Sequence, residues 1–166
     1  MTTAYIALGS NLGDSRALLG SALSAMDALP DTSLQATSPA YTSAAIGPGD
    51  QPDYINLVAE LDTRLPADSL LQALQQIELD HGRERSERWS ARTLDLDILI
   101  YGGETHTTDS LTVPHPRLGE RNFVLVPLAD LAPDLALPCG TRISTLLARC
   151  PREGLQPLGE PIAPGR

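Results

Sequence analysis

The chain has 166 residues, of which 42% are hydrophobic and 20% charged, and this suits one globular domain with a substantial core. Its formal net charge of -9 disfavours general binding to nucleic acids or to anionic membranes. The N-terminal segment has neither a basic stretch nor a long apolar run. We therefore expect no signal peptide, no membrane span and a cytoplasmic location.

The first half of the chain predicts three strands and a helix. Residues 4–8 suit a strand that ends in the polar turn GSNLGD, and apolar residues recur at helical spacing over 18–29. A weaker strand is expected over 34–41, followed by a loop rich in Gly, Pro and Asp over 43–54. Alternation over 54–63 predicts a third strand, with Tyr54, Asn56, Val58 and Glu60 on one face and Ile55, Leu57, Ala59 and Leu61 on the other.

The second half adds another helix, a charged loop and a strand. Pro66 suits the first turn of the helix, and Gly82 is a natural stop for it. Residues 82–92 are polar, highly charged and aperiodic, which predicts a mobile loop. The apolar run RTLDLDILIY over 92–101 predicts a strand, and after an unclear pattern a short helix is expected near 143–149. The apolar stripe of the longer helix consists of Leu70, Leu71, Leu74 and Ile77.

This order of elements predicts the fold class. Strand, helix, strand, strand, helix, strand is the order of an α+β, ferredoxin-like βαββαβ sandwich. It implies an antiparallel sheet with both helices on one face, so that the other face is free for a site. We expect a single domain over residues 1–150, whose last third elaborates the core, and a tail over 151–166 with little regular structure.

Two aspartates interrupt the apolar strand over 92–101. Alternation places Asp95 and Asp97 on one face, together with Leu99 and Tyr101, and the other apolar residues on the opposite face. One interpretation is a solvated sheet face near an edge, where charge guards against aggregation. Because Arg92 and an arginine-rich loop precede the pair, a site for a Mg²⁺-bound polyphosphate is the other interpretation.

Arginine supplies the basic side chains of this protein. The sequence contains no lysine, so a Walker A phosphate site is impossible and all 12 basic residues are arginines. A local group of arginines in an acidic protein favours a site for a polyanion smaller than a nucleic acid. Six of the arginines lie between residues 83 and 121, namely Arg83, Arg85, Arg88, Arg92, Arg117 and Arg121.

Two further groups of residues are candidates for binding. His115 lies between two prolines in VPHP, and it suits either a structural hydrogen bond or a phosphate contact. Tyr54 and Asn56 share a face, and Phe123 follows in the polar setting RNFV. Two aromatic rings and an amide suit a flat heterocycle, through stacking on its faces and hydrogen bonds at its edge, although a single aromatic on a strand is usually a core residue.

Four segments in order carry a family resemblance. They are AYIALGSNLGD, GPGDQPDYIN, RERSERWSARTLDLDIL and VPHPRLGERNFVLVPL. With them the chain, to about residue 137, resembles the 6-hydroxymethyl-7,8-dihydropterin pyrophosphokinase family of folate biosynthesis. The resemblance implies transfer of a pyrophosphoryl group from ATP to the pterin hydroxymethyl oxygen, with release of AMP, so these two small molecules are the expected partners. We expect the protein to be a monomer.

The resemblance also implies roles in handling ATP. Asp95 and Asp97 match metal ligands that bridge two Mg²⁺ ions on the ATP phosphates, and Arg83 and Arg92 match arginines that stabilise the transferring group. Some of the nucleotide-binding residues belong to the mobile loop that closes over the reactants. The residues implied at the nucleotide are Glu78, Arg85, Arg88, Trp89, Thr112, His115 and Arg121.

The remaining implied residues bind the pterin. Tyr54 and Phe123 match the aromatic pair that sandwiches it, and Asn56 matches the amide that binds its edge. The loop over 43–47, which ends at Gly47, is implied to close the pterin pocket with backbone groups.

Two other functions use the same residues. A metal-dependent phosphohydrolase or nuclease could bind its metal through the two aspartates, although the charge of -9 disfavours a nucleic-acid substrate. A ferredoxin-like regulator could bind a ligand without turnover, and the aspartates would then form only a charged surface. Replacement of either aspartate by alanine distinguishes the regulator from the kinase, because it abolishes turnover only in the kinase.

Overall fold

A computed structural model describes residues 1–11, 15–43, 54–81, 94–151, 154–159 and 161–164. As far as β5, its elements follow the order that the sequence predicts, except that two short strands replace one expected strand, and further elements follow. In chain order they are β1 Thr2–Ser10, α1 Ser15–Asp27, β2 Thr32–Thr37, β3 Tyr41–Ser43, β4 Tyr54–Thr63, α2 Ala67–Asp80, β5 Asp95–Tyr101, β6 His106–Thr107, β7 Thr112–Val113, α3 Asn122–Leu131, α4 Ile143–Ala148 and β8 Leu155–Pro157.

The large sheet is antiparallel throughout its described pairs. Its strands lie in the order β5-β1-β4-β3-β8, and β2 also pairs with β4. Helices α1 and α2 pack on one face, where Leu23 and Leu74 join Ile6 and Leu57 in a buried cluster. The predicted ferredoxin-like sandwich is therefore confirmed, although the single strand expected over 34–41 is divided into β2 and β3.

The opposite face of the sheet is partly covered, contrary to the prediction that it is free. Leu125 and Leu128 of α3 pack with Val58 of β4 and Ile143 of α4 in a second buried cluster. The sequence pattern does not predict α3, because NFVLVPLADL is apolar on all sides and so shows no amphipathic stripe. Pro127 inside the run also argues against a helix, since proline lacks the N–H donor of a helix interior.

A β-bulge lies in the middle of β5. Two consecutive residues of β1 oppose Ile98 and Ile100, so Leu99 is an extra residue on β5. The bulge reverses the alternation: Leu99 and Ile100 both join the cluster under α3, whereas Tyr101 joins the cluster under α1 and α2. The predicted faces of Ile100 and Tyr101 are therefore wrong, while those of the residues before the bulge are confirmed.

The C-terminal tail packs against the domain. Its strand β8 pairs with β3, and its residue Ile162 is 5% exposed within the cluster under α1 and α2. Within the described ranges, no helix has the length and apolar character needed to cross a membrane.

Candidate active site

A groove of about 720 Å³ lies on the part of the sheet that α3 leaves uncovered. Strands β1, β3, β4 and β5 contribute residues to it, and so do the segment that leads into α3 and the first turn of α3. The carboxylates of Asp95 and Asp97 thus share one space with Tyr54, Asn56 and Phe123. The aspartates and the aromatic residues, which are far apart in the sequence, meet because β1 lies between β4 and β5.

Strand register determines how the groove is arranged. Gly9 of β1 lies opposite Asn56 on one side and Asp95 on the other, and Ala7 lies opposite Asp97. Opposed residues of antiparallel strands project from the same face. Ala7, with a small side chain, and Gly9, with none, therefore form a floor between the carboxylates and the amide. Adjacent strands are about 4.8 Å apart, so roughly 10 Å of backbone separates Asp95 from Asn56.

The two carboxylates are accessible from the groove. Asp97 is exposed and Asp95 is half-buried, and their positions two residues apart place their Cα atoms about 7 Å apart. Such a pair of oxygen ligands fits Mg²⁺, which usually takes one or two protein carboxylates and completes its shell with water and phosphate oxygens. In the described ranges no three His, Cys, Asp or Glu residues form a group that could hold a metal ion. An ion at this pair would therefore depend on water and substrate for its other ligands.

Glu78 of α2 supports the strand that carries these aspartates. Its side chain is 4% exposed, and its Oε2 accepts a hydrogen bond of 2.9 Å from the backbone N–H of Leu96. Because β5 lies at the edge of the sheet as far as the structure describes it, no described strand pairs with this N–H. Glu78 therefore contacts β5 at Leu96, which is the residue between Asp95 and Asp97. Its predicted contact with the nucleotide stays a prediction.

His115 is attached to the bulge of β5. Its backbone N–H donates to the carbonyl of Leu99 at 2.9 Å, and the backbone N–H of Arg117 donates to its Nδ1 at 3.2 Å. The neutral ring therefore carries its proton on Nε2, which can donate to a substrate oxygen. Burial lowers the pKa of His115, the carboxylate of Asp97 opposes this, and Arg121 and Arg117 lower it further. His115 is consequently neutral at pH 7.

Cationic and aromatic side chains meet where α3 begins. The guanidinium carbon of Arg121 lies 5.7 Å from the centroid of the Phe123 ring, and both residues line the groove. This is a cation–π distance, and the stacking limits the positions available to both side chains. Arg117 lines the groove as well, although no site role is predicted for it beyond its place in the group of arginines. The groove therefore places positive charge near the carboxylates.

Asn56 is held in one orientation by β3. It is 5% exposed, and its Nδ2 donates a hydrogen bond of 2.8 Å to the Oγ of Ser43. A Cβ atom added to Gly9 would lie 3.3 Å from the Oδ1 of Asn56, so this oxygen lies over the floor of the groove. A ligand on that floor therefore meets an acceptor at Asn56.

The structure brings together some of the predicted site residues and not others. Thr112 is exposed on β7 and does not line the groove as the structure describes it. Glu78 and His115 also lie outside the lining, next to the residues that form it. Beyond the described residues lie Gly47, Arg83, Arg85, Arg88, Trp89 and Arg92, whose roles stay predictions.

Several residues that line the groove are not among the predicted site residues, and Gly9, Arg117, Asn122 and Gly154 are examples. Gly9 has a visible signal, because a glycine inside a strand pattern often marks close approach of another group. Arg117 belongs to the group of arginines noted in the sequence. Asn122 and Gly154 have no local signal, because they reach the groove only through the packing of α3 and of the tail.

Known proteins resemble this chain along nearly its whole length. The profile of the 7,8-dihydro-6-hydroxymethylpterin-pyrophosphokinase (HPPK) family matches residues 5–133. The 2-amino-4-hydroxy-6-hydroxymethyldihydropteridine pyrophosphokinase of Pseudomonas aeruginosa is 53% identical over 154 residues, which are 93% of this chain and 95% of that protein. The Haemophilus influenzae protein of the same name is 50% identical over 147 residues, which are 89% of this chain and 92% of that protein.

Solved structures agree in fold. A crystal structure of an HPPK-DHPS in complex with substrates superposes with a TM-score of 0.71 at 13% identity, over 90% of this chain. A Plasmodium falciparum HPPK-DHPS gives a TM-score of 0.72 at 14% identity, over 89% of this chain. The chain spans 45% of each of these longer proteins, and at such identities the likeness is one of fold.

Proposed function

This chain belongs to the 7,8-dihydro-6-hydroxymethylpterin-pyrophosphokinase family, and we propose that its groove is the place where the reaction of that family occurs. The protein transfers pyrophosphate from ATP to 6-hydroxymethyl-7,8-dihydropterin, which gives AMP and the pterin diphosphate in tetrahydrofolate biosynthesis. One observation supports placing the reaction in this groove. The groove joins two carboxylates to an amide and aromatic residues across a floor of Ala7 and Gly9.

The carboxylate end of the groove is proposed to hold the ATP phosphates. Asp95 and Asp97 would bind two Mg²⁺ ions, and bound Mg²⁺ supplies positive charge that neutralises the polyphosphate. Arg117 and Arg121 offer guanidinium donors that suit phosphate oxygens, and neutral His115 offers its Nε2–H. The expected contribution of Arg83 and Arg92 to the transferring group belongs to the same proposal.

The amide end is proposed to hold the pterin. Tyr54 and Phe123 supply aromatic surface for a flat ring, and Gly9 lets that ring approach the backbone of β1. Since the Nδ2 of Asn56 donates to Ser43, the Oδ1 of Asn56 is the atom that accepts from an N–H at the pterin edge. Backbone groups of the loop over 43–47, including Gly47, are proposed to complete the pocket.

Positioning is the main task of the protein in this reaction. A bond forms between the pterin hydroxymethyl oxygen and the β-phosphorus of ATP, while the bond from the β-phosphorus to the oxygen shared with the α-phosphorus breaks. AMP leaves with that oxygen, and the proton of the hydroxymethyl group is lost to solvent. Such transfers depend on alignment and on charge stabilisation more than on covalent chemistry by the protein. The floor of the groove runs from the pterin end to the phosphate end, so the hydroxymethyl group can point along it towards the aspartates.

Product analysis tests this function. We expect AMP to form from ATP and Mg²⁺ only when 6-hydroxymethyl-7,8-dihydropterin is present, and EDTA to abolish it. ADP or inorganic phosphate in place of AMP would point to another phosphotransferase or to a phosphohydrolase. The expected monomer and its cytoplasmic location are part of the proposal, and they are checked by light scattering after size exclusion and by cell fractionation.

The floor residue Gly9 is a place to test the arrangement of the pterin end. We expect Gly9→Ala to raise KM for the pterin about threefold to tenfold, because the new methyl crowds the Oδ1 of Asn56 and costs about 1 kcal/mol of hydrogen bonding. Steady-state kinetics with each substrate in turn measures this. Gly103→Ala is the matched control, since nothing lies within 4 Å of the Cβ position at Gly103. Equal KM values in the two variants would contradict the assignment of the floor.

A further inference from the structure

The tail of the chain reaches the groove at Gly154. This residue lines the groove together with Ser43, which lies opposite Leu155 in the strand pairing, and Asn122, which donates a hydrogen bond to the carbonyl of Pro151. We propose that the tail, through Gly154, forms one wall of the pterin end, and that the absence of a side chain at Gly154 is required for pterin binding. The inference rests on the proposed function and adds a specificity-determining residue to it.

Strand pairing holds the tail beside the pterin end. In the pairing of β8 with β3, Leu155 lies opposite Ser43 and Gln156 opposite Thr42. The backbone N–H of Leu158 also donates to the carbonyl of Ala40 at 2.9 Å. Ser43 accepts the hydrogen bond that orients Asn56. Strand β3 therefore lies between β8 of the tail and β4, which carries the amide that is proposed to bind the pterin edge.

A second attachment joins the tail to the start of α3. The Nδ2 of Asn122, at the start of α3, donates to the carbonyl of Pro151 at 2.9 Å. Asn122 precedes Phe123, which supplies aromatic surface at the pterin end. Further along, Ile162 is buried under α1 and α2. Anchors on both sides of Gly154 hold this part of the tail at a defined place in the wall.

The backbone at Gly154 leaves room for a ligand. Its φ of +78° favours glycine, and no atom of the described residues lies within 4 Å of the position that a Cβ atom would take. A side chain there would meet none of these residues near its base and would extend into the space beside the groove. Since Gly154 is itself part of the lining, such a side chain would compete with the pterin for volume.

Gly159 provides a matched control within the same tail. Its φ is +87°, it is exposed, and the Cβ position is equally open, but it does not line the groove. Substitution of either glycine therefore imposes a similar backbone strain. Only substitution of Gly154 adds atoms to the proposed wall.

The experiment compares Gly154→Leu with Gly159→Leu by calorimetric titration with the pterin and, separately, with ATP and Mg²⁺. We expect Gly154→Leu to raise Kd for the pterin about tenfold or more, by occupying ligand volume, with Kd for ATP within about twofold. Gly159→Leu should change neither. Gly154→Ala gives the same comparison with Gly159→Ala if the larger side chain prevents folding.

Equal Kd values for the pterin in the two variants would overturn the inference. An increase in Kd for ATP in Gly154→Leu as large as its increase in Kd for the pterin would overturn it too. Product analysis of the unmodified protein separates this result from failure of the proposed function. AMP formation together with equal pterin Kd values would reject the wall and keep the function. Absence of AMP together with a Kd increase confined to Gly154→Leu would support the wall and reject the function.

Discussion

Replacement of Asp95 or Asp97 by asparagine is expected to lower kcat about 1,000-fold or more, because charge stabilisation by a metal site supplies several kcal/mol and each 1.36 kcal/mol is tenfold in rate. The amide keeps the size of the side chain but loses the charge that holds Mg²⁺. Asp97 is exposed and Asp95 half-buried, so we expect the fold to persist. The measurement is AMP formation at saturating substrates over a range of Mg²⁺ concentrations, with thermal unfolding alongside.

Asp134→Asn is the matched control for these variants. Asp134 is exposed after α3 and is not among the residues that line the groove, so kcat should stay at the unmodified value. Near-normal turnover in both groove variants would contradict the metal site at Asp95 and Asp97. A loss of turnover together with unfolding would show instead that the aspartates stabilise the sheet.

Glu78→Ala is expected to lower the free energy of unfolding by about 2 to 3 kcal/mol, since it removes a buried acceptor and leaves the backbone N–H of Leu96 without it. The same change is expected to reduce kcat by about tenfold, because the edge strand shifts between Asp95 and Asp97 and a small misplacement is costly in positioned reactions. Urea unfolding and steady-state kinetics measure the two effects.

Two variants show how Glu78 acts. Glu78→Gln keeps an acceptor oxygen for Leu96 and should recover most of both losses. Gln75→Ala, at an exposed position on the same helix, should cause neither. If Glu78 acts only as a nucleotide ligand, as the family resemblance implies, Glu78→Ala would raise KM for ATP and leave the unfolding free energy unchanged. That result would contradict a role in supporting β5.

Sequence periodicity predicts the elements that bury one side against the first face of the sheet. The stripe of α2 and the alternation of β4 are visible because one side of each element is polar. Helix α3 has no polar side to contrast with its apolar one, so its sequence carries no period. A β-bulge depends on pairing with another strand, and therefore the reversal at Leu99 cannot be inferred from β5 alone.

The candidate site is predictable where residue type alone indicates chemistry. The two groups of candidates that residue type indicates, Asp95 with Asp97 and Tyr54 with Asn56 and Phe123, lie in one groove, and their roles stay predictions. Periodicity could have indicated that Glu78 is buried against the sheet, because its carboxylate continues the apolar series at every fourth residue of α2. Gly154 could not be found in this way, since its place in the groove depends on the pairing of β8 with β3.

The bulge at Leu99 divides β5 into two parts with different surroundings. Before it, Asp95 and Asp97 line the groove, so substitutions there are expected to change turnover. After it, Tyr101 is buried on the other face and donates a hydrogen bond to the carbonyl of Leu65, so substitutions there are expected to change stability. The carbonyl of Leu99 binds the segment that carries His115. An insertion or deletion within this strand would therefore change activity and folding together, whereas substitutions can adjust each one separately.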